Sequence, residues 1–316
     1  MLQKANPKND HIQVYIKDKL YPRHQAKVSV FDSTVQGGDA VWEGLRVYPQ
    51  GIVCLDDAVW EGLRVYPQGI VCLDKHLTRL HQSAKTLAFT DIPSKTEIKK
   101  AIKLTLDANA MDDNTHIRLT LSRGEKITSG MDPRLNQSGS CLIVLAEWKP
   151  LVYDNNSGIT VLSTSQRRNA PQFLDSKIHH NNLLNNIIAK IQANVAGKDA
   201  GLMLDDRGFV AELNGSNVFM IKQGKVYTPF AHACLPGITR NTVMELCQDH
   251  GIQLIEADLS LSEFINAEGV FATGTMGELT PIVEIDGREI SRDSQLMDQV
   301  LNLFKNNVRS FCEPLV

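Results

Sequence analysis

The chain of 316 residues is long enough for about two domains of ordinary size. Its composition, 42% hydrophobic and 22% charged, is that of a folded globular protein and excludes a fibrous or largely disordered one. A net charge of −3, from 33 basic and 36 acidic residues, gives no electrostatic basis for a nucleic-acid or anionic-membrane partner, which leaves small molecules.

The opening MLQKANPKNDHIQ is polar and lacks the apolar run of a secretion signal, and no later stretch is apolar enough to span a membrane. Cys54, Cys72, Cys141, Cys234, Cys247 and Cys312 are dispersed without a CxxC spacing, which predicts reduced thiols and a cytoplasmic location. Two alternating runs, HIQVYI and KVSVFD, predict a hairpin around Lys19–His24. The segment DAVWEGLRVYPQGIVCLD then occupies 39–56 and recurs unchanged at 57–74. It occurs at no third place, so the chain is not a solenoid. Asp74 is the expected N-cap of a helix burying Leu77, Leu80, Ala84 and Leu87, and Ser94 with Glu97 has capping-box spacing for a second helix.

Strands are predicted over HIRLTLSR and SCLIVLAEW, joined by a long loop from Gly124 to Gly139. KPLVYDNNSG clusters Pro, Asn, Ser and Gly and reads as a linker over 149–158, dividing a domain 1–148 from a domain 159–316. GITVLSTS is a strand, and HNNLLNNIIAKIQANVAG a helix with Leu183, Leu184, Ile187, Ile188 and Ile191 inward. Two hairpin-like segments follow, then a helix from PGITR, strands IQLIEA and GVFATGT, a hairpin at Asp286-Gly287 and a last helix near 293–311. The fold class is mixed α/β in two halves.

Lys177, in FLDSKIHHNNLL, stands between a strand and a helix. A lysine amine forms a Schiff base with a carbonyl when burial lowers its pKa, although a lone lysine is more often at the surface. Glu212, in GFVAELNGSNVF, alternates with apolar neighbours, so an inward carboxylate there needs a cationic or hydrogen-bonding partner. PGITR at 236–240 presents backbone N–H groups at a helix start, and TGT at 273–275 ends a strand in small donors; both suit an anion. His179 and His180 are adjacent with no acid or Cys spaced for a closed site, which argues against a metal.

Taken together, WEGLR, HLTRLHQSAK, the Lys177 segment, AELNGSNVF, LPGITR and FATGTMGELTP resemble the class IV pyridoxal-phosphate enzymes, from about Val28 to Ile290. That family comprises branched-chain amino-acid transaminases, D-amino-acid transaminases and aminodeoxychorismate lyases. The resemblance implies the fold-type IV architecture, with the cofactor between two α/β domains. It implies Lys177 as the covalent anchor of pyridoxal 5'-phosphate and proton carrier, and Glu212 as partner of the ring nitrogen. Arg79, Ile238, Thr239 and Thr275 would hold the phosphate. On the substrate side it implies Arg118, Met276 and Gly277, with Trp42 and Arg46 of the first WEGLR copy at the pocket, or Trp60 and Arg64 if the second copy takes that place.

Three tyrosines of the branched-chain pattern are replaced, by Gly37, His116 and Asn182, and a Pro-Arg-x-His loop of the D-amino-acid enzymes is half present as Pro133-Arg134. The resemblance supplies one WEGLR unit where this chain has two, so the duplication is an insertion into a complete fold. The first copy is expected to fill the native place, with 57–74 bulging before the helix. The implied activity is transfer of an amino group from a branched-chain L-amino acid to a 2-oxo acid such as 2-oxoglutarate, by a homodimer. A D-amino-acid transaminase, an aminodeoxychorismate lyase and an inactive cofactor-binding duplicate are the alternatives.

Overall fold

Alternation in HIQVYI turns back on itself at once. Strand β1 (Gln13–Ile16) pairs antiparallel with β2 (Lys19–Pro22) through a turn in which Lys17 adopts φ 62°. The expected partner KVSVFD is therefore not a strand, and Val28, Val30 and Phe31 are exposed. A tight turn orders less chain than the longer loop would have. The structure is a computed structural model describing residues 6–47, 65–66, 69–112, 115–149, 152–307 and 311–313. For 45–47, 65–66, 69, 71 and 312–313 it describes the backbone alone.

After β2 come α1 (Ser33–Gly37), β3 (Ala40–Val47), β4 (Val65–Tyr66), β5 (Gly69–Val71), α2 (Leu73–Thr86), α3 (Lys95–Ala108), β6 (Thr115–Ser122) and β7 (Cys141–Trp148). They build an antiparallel sheet of order β2-β1-β7-β6-β3. Its core joins Leu73, Leu77 and Leu80 of α2 and Ile98 and Ile102 of α3 to Ile117, Leu119 and Val144 of the sheet. In α3 the capping box of Ser94 and Glu97 forms as spaced. In α2 the N-cap is Cys72, at φ 49°, and not Asp74, which lies in the first turn where its charge suits the helix dipole.

The duplicated segment is divided between elements. β3 comes from the first copy; β4, β5 and the first residues of α2 come from the second. The expectation that 57–74 bulges as a whole is corrected, because Val65–Tyr66 and Gly69–Val71 form a hairpin leading into α2. Trp60 and Arg64 lie outside the described residues.

The second half carries β8 (Ile159–Ser163), α4 (Leu184–Val195), β9 (Ala200–Leu204), β10 (Val210–Leu213), β11 (Asn217–Lys222), β12 (Lys225–Pro229), α5 (Ile238–Asp249) and β13 (Leu254–Ala257). It continues through α6 (Leu261–Ile265), β14 (Gly269–Gly274), β15 (Glu278–Ile285), β16 (Arg288–Glu289), α7 (Gln295–Asn307) and β17 (Cys312–Glu313). The sheet order is β10-β9-β8-β15-β14-β11-β12-β13, with β16 paired to β15. One core packs Ile159, Val161 and Leu202 with Val218 and Phe264; another packs Phe219 and Phe271, stacked at 5.1 Å, with Val243 of α5 and Met297 of α7.

Two expectations for this half change. Helix α4 turns Ala189 and Ala193 inward. Of the residues predicted inward, Leu184, Ile187 and Ile191 are exposed, as is Val195, while Leu183 and Ile188 are half-buried and Leu183 reaches the cavity between the two sheets. Small alanines let the helix lie close on β9, where a Cβ on Gly201 would meet the Ala189 carbonyl at 2.8 Å. The chain also recrosses the expected domain limit: β17 pairs antiparallel with β5, and the Cys72 N–H donates to the Phe311 carbonyl at 2.7 Å.

Candidate active site

A cavity lies between the two sheets, walled by Trp42 of β3, the segment Ser176–His180 apart from Lys177, Glu212 of β10 and Asn217 of β11, Gly237–Thr239, and the Thr273-Gly274 end of β14. The segment 179–181 is fixed by the outer edge of β3. Trp42 N–H donates to the His179 carbonyl at 3.1 Å, Asn181 N–H donates to the Ala40 carbonyl at 2.8 Å, and His180 bridges Val41. Covering that edge satisfies backbone groups that would otherwise be left bare.

Glu212 is buried, ion-paired to Arg168, and accepts from Asn217 Nδ2 at 3.1 Å. Burial pushes its carboxyl above the ordinary range, and Arg168 partly offsets this. Arg168, in QRRNAP, escapes sequence reasoning because a single arginine beside another carries no sign of burial. On the other side of Asn217 from Glu212, the wall continues as a helix start suited to an anion. Gly237 is the N-cap of α5 with no side-chain cap, so the N–H groups of the first turn have no side-chain acceptor there. A Cβ on Gly237 would meet Asn217 Oδ1 at 2.2 Å, so only glycine lets the backbone lie this close. The hydroxyl oxygens of Thr273 and Thr275 are buried without a hydrogen-bond partner, as is His180 Nδ1. Buried donors and acceptors left open in this way suit a polar ligand that completes them.

Behind the cavity wall lies a second buried cluster. Glu43, fully buried on β3, accepts from Arg79 Nε at 3.0 Å and Nη2 at 2.6 Å. His76 Nδ1 lies 2.8 Å and His179 Nδ1 3.2 Å from the same carboxylate. Burial alone would raise the Glu43 carboxyl, but Arg79 and His179 hold it well below the usual range. Burial takes His179 down to about 4. A neutral imidazole against an acceptor-only carboxylate carries its proton on Nδ1. The His179 ring also lies tilted on Trp42, at 4.3 Å between centroids.

The predicted site residues therefore part company. Glu212, Ile238, Thr239 and Trp42 share the cavity wall, and Thr275 follows the Thr273-Gly274 wall directly. Arg79 differs from expectation: its guanidinium grips Glu43, and its side chain is not part of the cavity wall. Arg118 stands behind Trp42, with its guanidinium carbon 4.2 Å from the ring centroid and Nη2 donating to Asn181 Oδ1 at 3.3 Å. Met276 and Gly277 are buried in the turn after β14, where their carbonyls accept from Val152 N–H and Asn155 Nδ2. For Arg46 the backbone faces His116 in the sheet and the side chain lies outside the description.

Lys177 is the largest departure. Its side chain is 46% exposed, Nζ lies 3.8 Å from Asp175 Oδ1, and it does not line the cavity. The expected buried amine is not there, because the turn at 175–178 directs Ser176 and Ile178 inward and Lys177 out. The residues present thus fit the ring and the phosphate of a pyridoxal-type cofactor, and do not fit its covalent anchoring at Lys177.

Comparison with known proteins places this geometry. The family model for class IV aminotransferases matches residues 58–285. Branched-chain-amino-acid aminotransferase-like protein 2 of Arabidopsis thaliana is 54% identical over 284 residues, covering 90% of this chain and 48% of that protein. The chain thus spans about half the length of the Arabidopsis relatives it matches. The branched-chain-amino-acid aminotransferase of Pseudomonas aeruginosa is 36% identical, over 88% of this chain and 86% of that one. Among solved structures, the branched-chain aminotransferase from Thermoproteus uzoniensis with norvaline superposes with a TM-score of 0.82 at 26% identity, covering 95% of this chain and 96% of that one. Two α/β halves around one polar cavity are the fold-type IV architecture, and the chain belongs to the class IV aminotransferase family.

Proposed function

We propose that the cavity binds pyridoxal 5'-phosphate and that the chain is an aminotransferase. It would move an amino group from an amino acid, branched-chain L-amino acids first, to a 2-oxo acid such as 2-oxoglutarate. The observation that supports this most is a buried carboxylate, Glu212, and a helix start without a side-chain cap, Gly237–Thr239, lining one cavity. Related proteins solved with norvaline and with N-(5'-phosphopyridoxyl)-L-glutamate support the same choice of substrate and cofactor. When bound, the cofactor supplies an electron sink for the α-carbon of an amino acid. Glu212 would hold a proton on the ring nitrogen, and the Ile238 N–H with Thr239 and Thr275 would hold the phosphate. Trp42, backed by Arg118, would wall the amino-acid side, and Arg46 and the Met276-Gly277 turn are proposed to take part in substrate binding.

The test is a single-turnover assay on purified chain supplied with cofactor, offered both enantiomers of leucine, valine and alanine. Conversion of the cofactor to its amine form by L-leucine or L-valine is the expected result. Pyruvate released from aminodeoxychorismate, with no donor converting the cofactor, would make the chain a lyase instead. A second reading, a chain that holds the cofactor without turnover, is favoured by the exposure of Lys177. It predicts bound cofactor and no conversion with any donor.

Gly237→Ala is expected to weaken cofactor binding at least tenfold, about 1.4 kcal/mol, because the new methyl displaces Asn217 from Glu212. A fluorescence titration giving an unchanged dissociation constant would remove the cradle from this reading.

The partner proposed is a second copy of the chain, and the compartment the cytoplasm, where buried free thiols such as Cys234 and Cys247 stay reduced. Leu184, Ile187, Ile191 and Val195 recur on one face of α4 with exposures of 62, 51, 53 and 87%. An apolar stripe of this kind suits a protein partner. Replacing Ile187 and Ile191 together with Glu should convert a dimer to a monomer by light scattering; a dimer that persists would move the interface elsewhere.

A further inference from the structure

We propose that pyridoxal phosphate is held in this cavity without a covalent bond to the chain, with Lys177 a surface lysine and His179 occupying the inner wall. This rests on the cofactor reading above and concerns only how the cofactor is retained.

Lys177 is turned away by its own backbone. Its N–H donates to Asp175 Oδ1 at 3.0 Å and the Ile178 N–H to the Asp175 carbonyl at 3.0 Å, closing a turn. Ser176 Oγ donates to the Asn169 carbonyl at 2.6 Å, which fixes the residue before it. The residues after it are fastened along β3. Bringing Lys177 inward would require undoing the turn that places Ser176 and Ile178 on the cavity wall. Among the described residues no lysine lines the cavity.

The inner position belongs to His179, which is held on several sides. Its N–H donates to Ser83 Oγ at 3.1 Å, Nδ1 lies on Glu43, and the ring lies on Trp42. An aldehyde condenses with a primary amine by losing its oxygen as water together with both amine hydrogens. A neutral imidazole has one N–H hydrogen to give, so His179 cannot form that C=N bond. Ring and phosphate contacts then carry the binding, from Glu212 and from Gly237–Thr239 with the open hydroxyls of Thr273 and Thr275.

The experiment loads the purified full chain with one equivalent of pyridoxal phosphate, removes the excess, measures retained cofactor after acid release, and treats a second sample with borohydride before peptide mass mapping. Wild type and Lys177→Ala should retain the same amount of cofactor, and neither should carry a borohydride-stable label in the 170–182 segment. His179→Lys replaces a neutral imidazole beside Glu43 with a primary amine on the wall. That amine condenses with the aldehyde with loss of water, borohydride delivers hydride to the C=N carbon, and the label should appear at position 179. A label at Lys177 in wild type, lost in Lys177→Ala, would overturn the inference while leaving the cofactor reading intact. A wild type that retains no cofactor would overturn both. A folded His179→Lys chain that holds cofactor and takes no label would overturn the placement of His179.

Discussion

Replacing Glu43 with Gln is expected to lower the free energy of unfolding by about 3–5 kcal/mol, the usual cost of removing one partner from a buried ion pair. Gln preserves the shape and removes the charge. Arg79 is then left buried with its two-pronged contact to a neutral amide, and His76 and His179 lose the acceptor that orients them. Urea unfolding of the two proteins would measure it; a loss below about 1 kcal/mol, the level of a surface pair, would mean that the cluster is not what anchors β3 to α2. The same cluster makes the protein sensitive to acid. With its folded pKa depressed to about 4 from 6.5, His179 takes up its proton more readily in the unfolded chain. Stability should therefore fall as pH drops from 6.5 towards 4. Glu43, also depressed, adds to the loss at lower pH as its carboxylate is protonated.

Arg168→Met is expected to have a comparable effect, about 3–5 kcal/mol at neutral pH, because Glu212 is left ionised and buried with the neutral Asn217 amide still donating to it. Here the pH dependence runs the other way. Loss of Arg168 raises a carboxyl that burial already raises, so the folded state binds the proton more tightly than the unfolded state. The variant should therefore be more stable near pH 5 than near pH 8, a window set by the raised carboxylate range. Adding Glu212→Gln should recover most of the loss, since a neutral pair of similar volume costs little. Denaturation of the single and double variants across pH checks both statements. Equal stability of the single variant at the two pH values would mean that Glu212 is not the group left uncompensated.

Local signals in the sequence were reliable where local forces decide. Ser94 and Glu97 satisfy each other within one turn, so their spacing alone specified the start of α3. The Asp286-Gly287 pair likewise forms its turn at φ 52° and 76°. Signals that depend on distant partners were not legible. Leu184, Ile187 and Ile191 form a convincing apolar stripe, and nothing in the stripe says that Ala189 and Ala193 will face β9 instead. Glu43 and Arg168 are ordinary charges in the sequence, and their importance comes from partners 36 and 44 positions away. In the cavity, Glu212 and the PGITR cradle could be found because alternation and helix starts constrain direction. Lys177 could not, since one turn of backbone decides whether a long flexible side chain faces in or out.

The pairing of β17 with β5 has a consequence for the order of events during translation. Val71 finds its strand partner in Cys312, so the hairpin that introduces α2 stays uncovered on one side until almost all of the described chain has left the ribosome. The first sheet can zip early from its own strands. The adjoining edge has to wait, and a nascent chain stalled before residue 311 would display it to chaperones or to its neighbours.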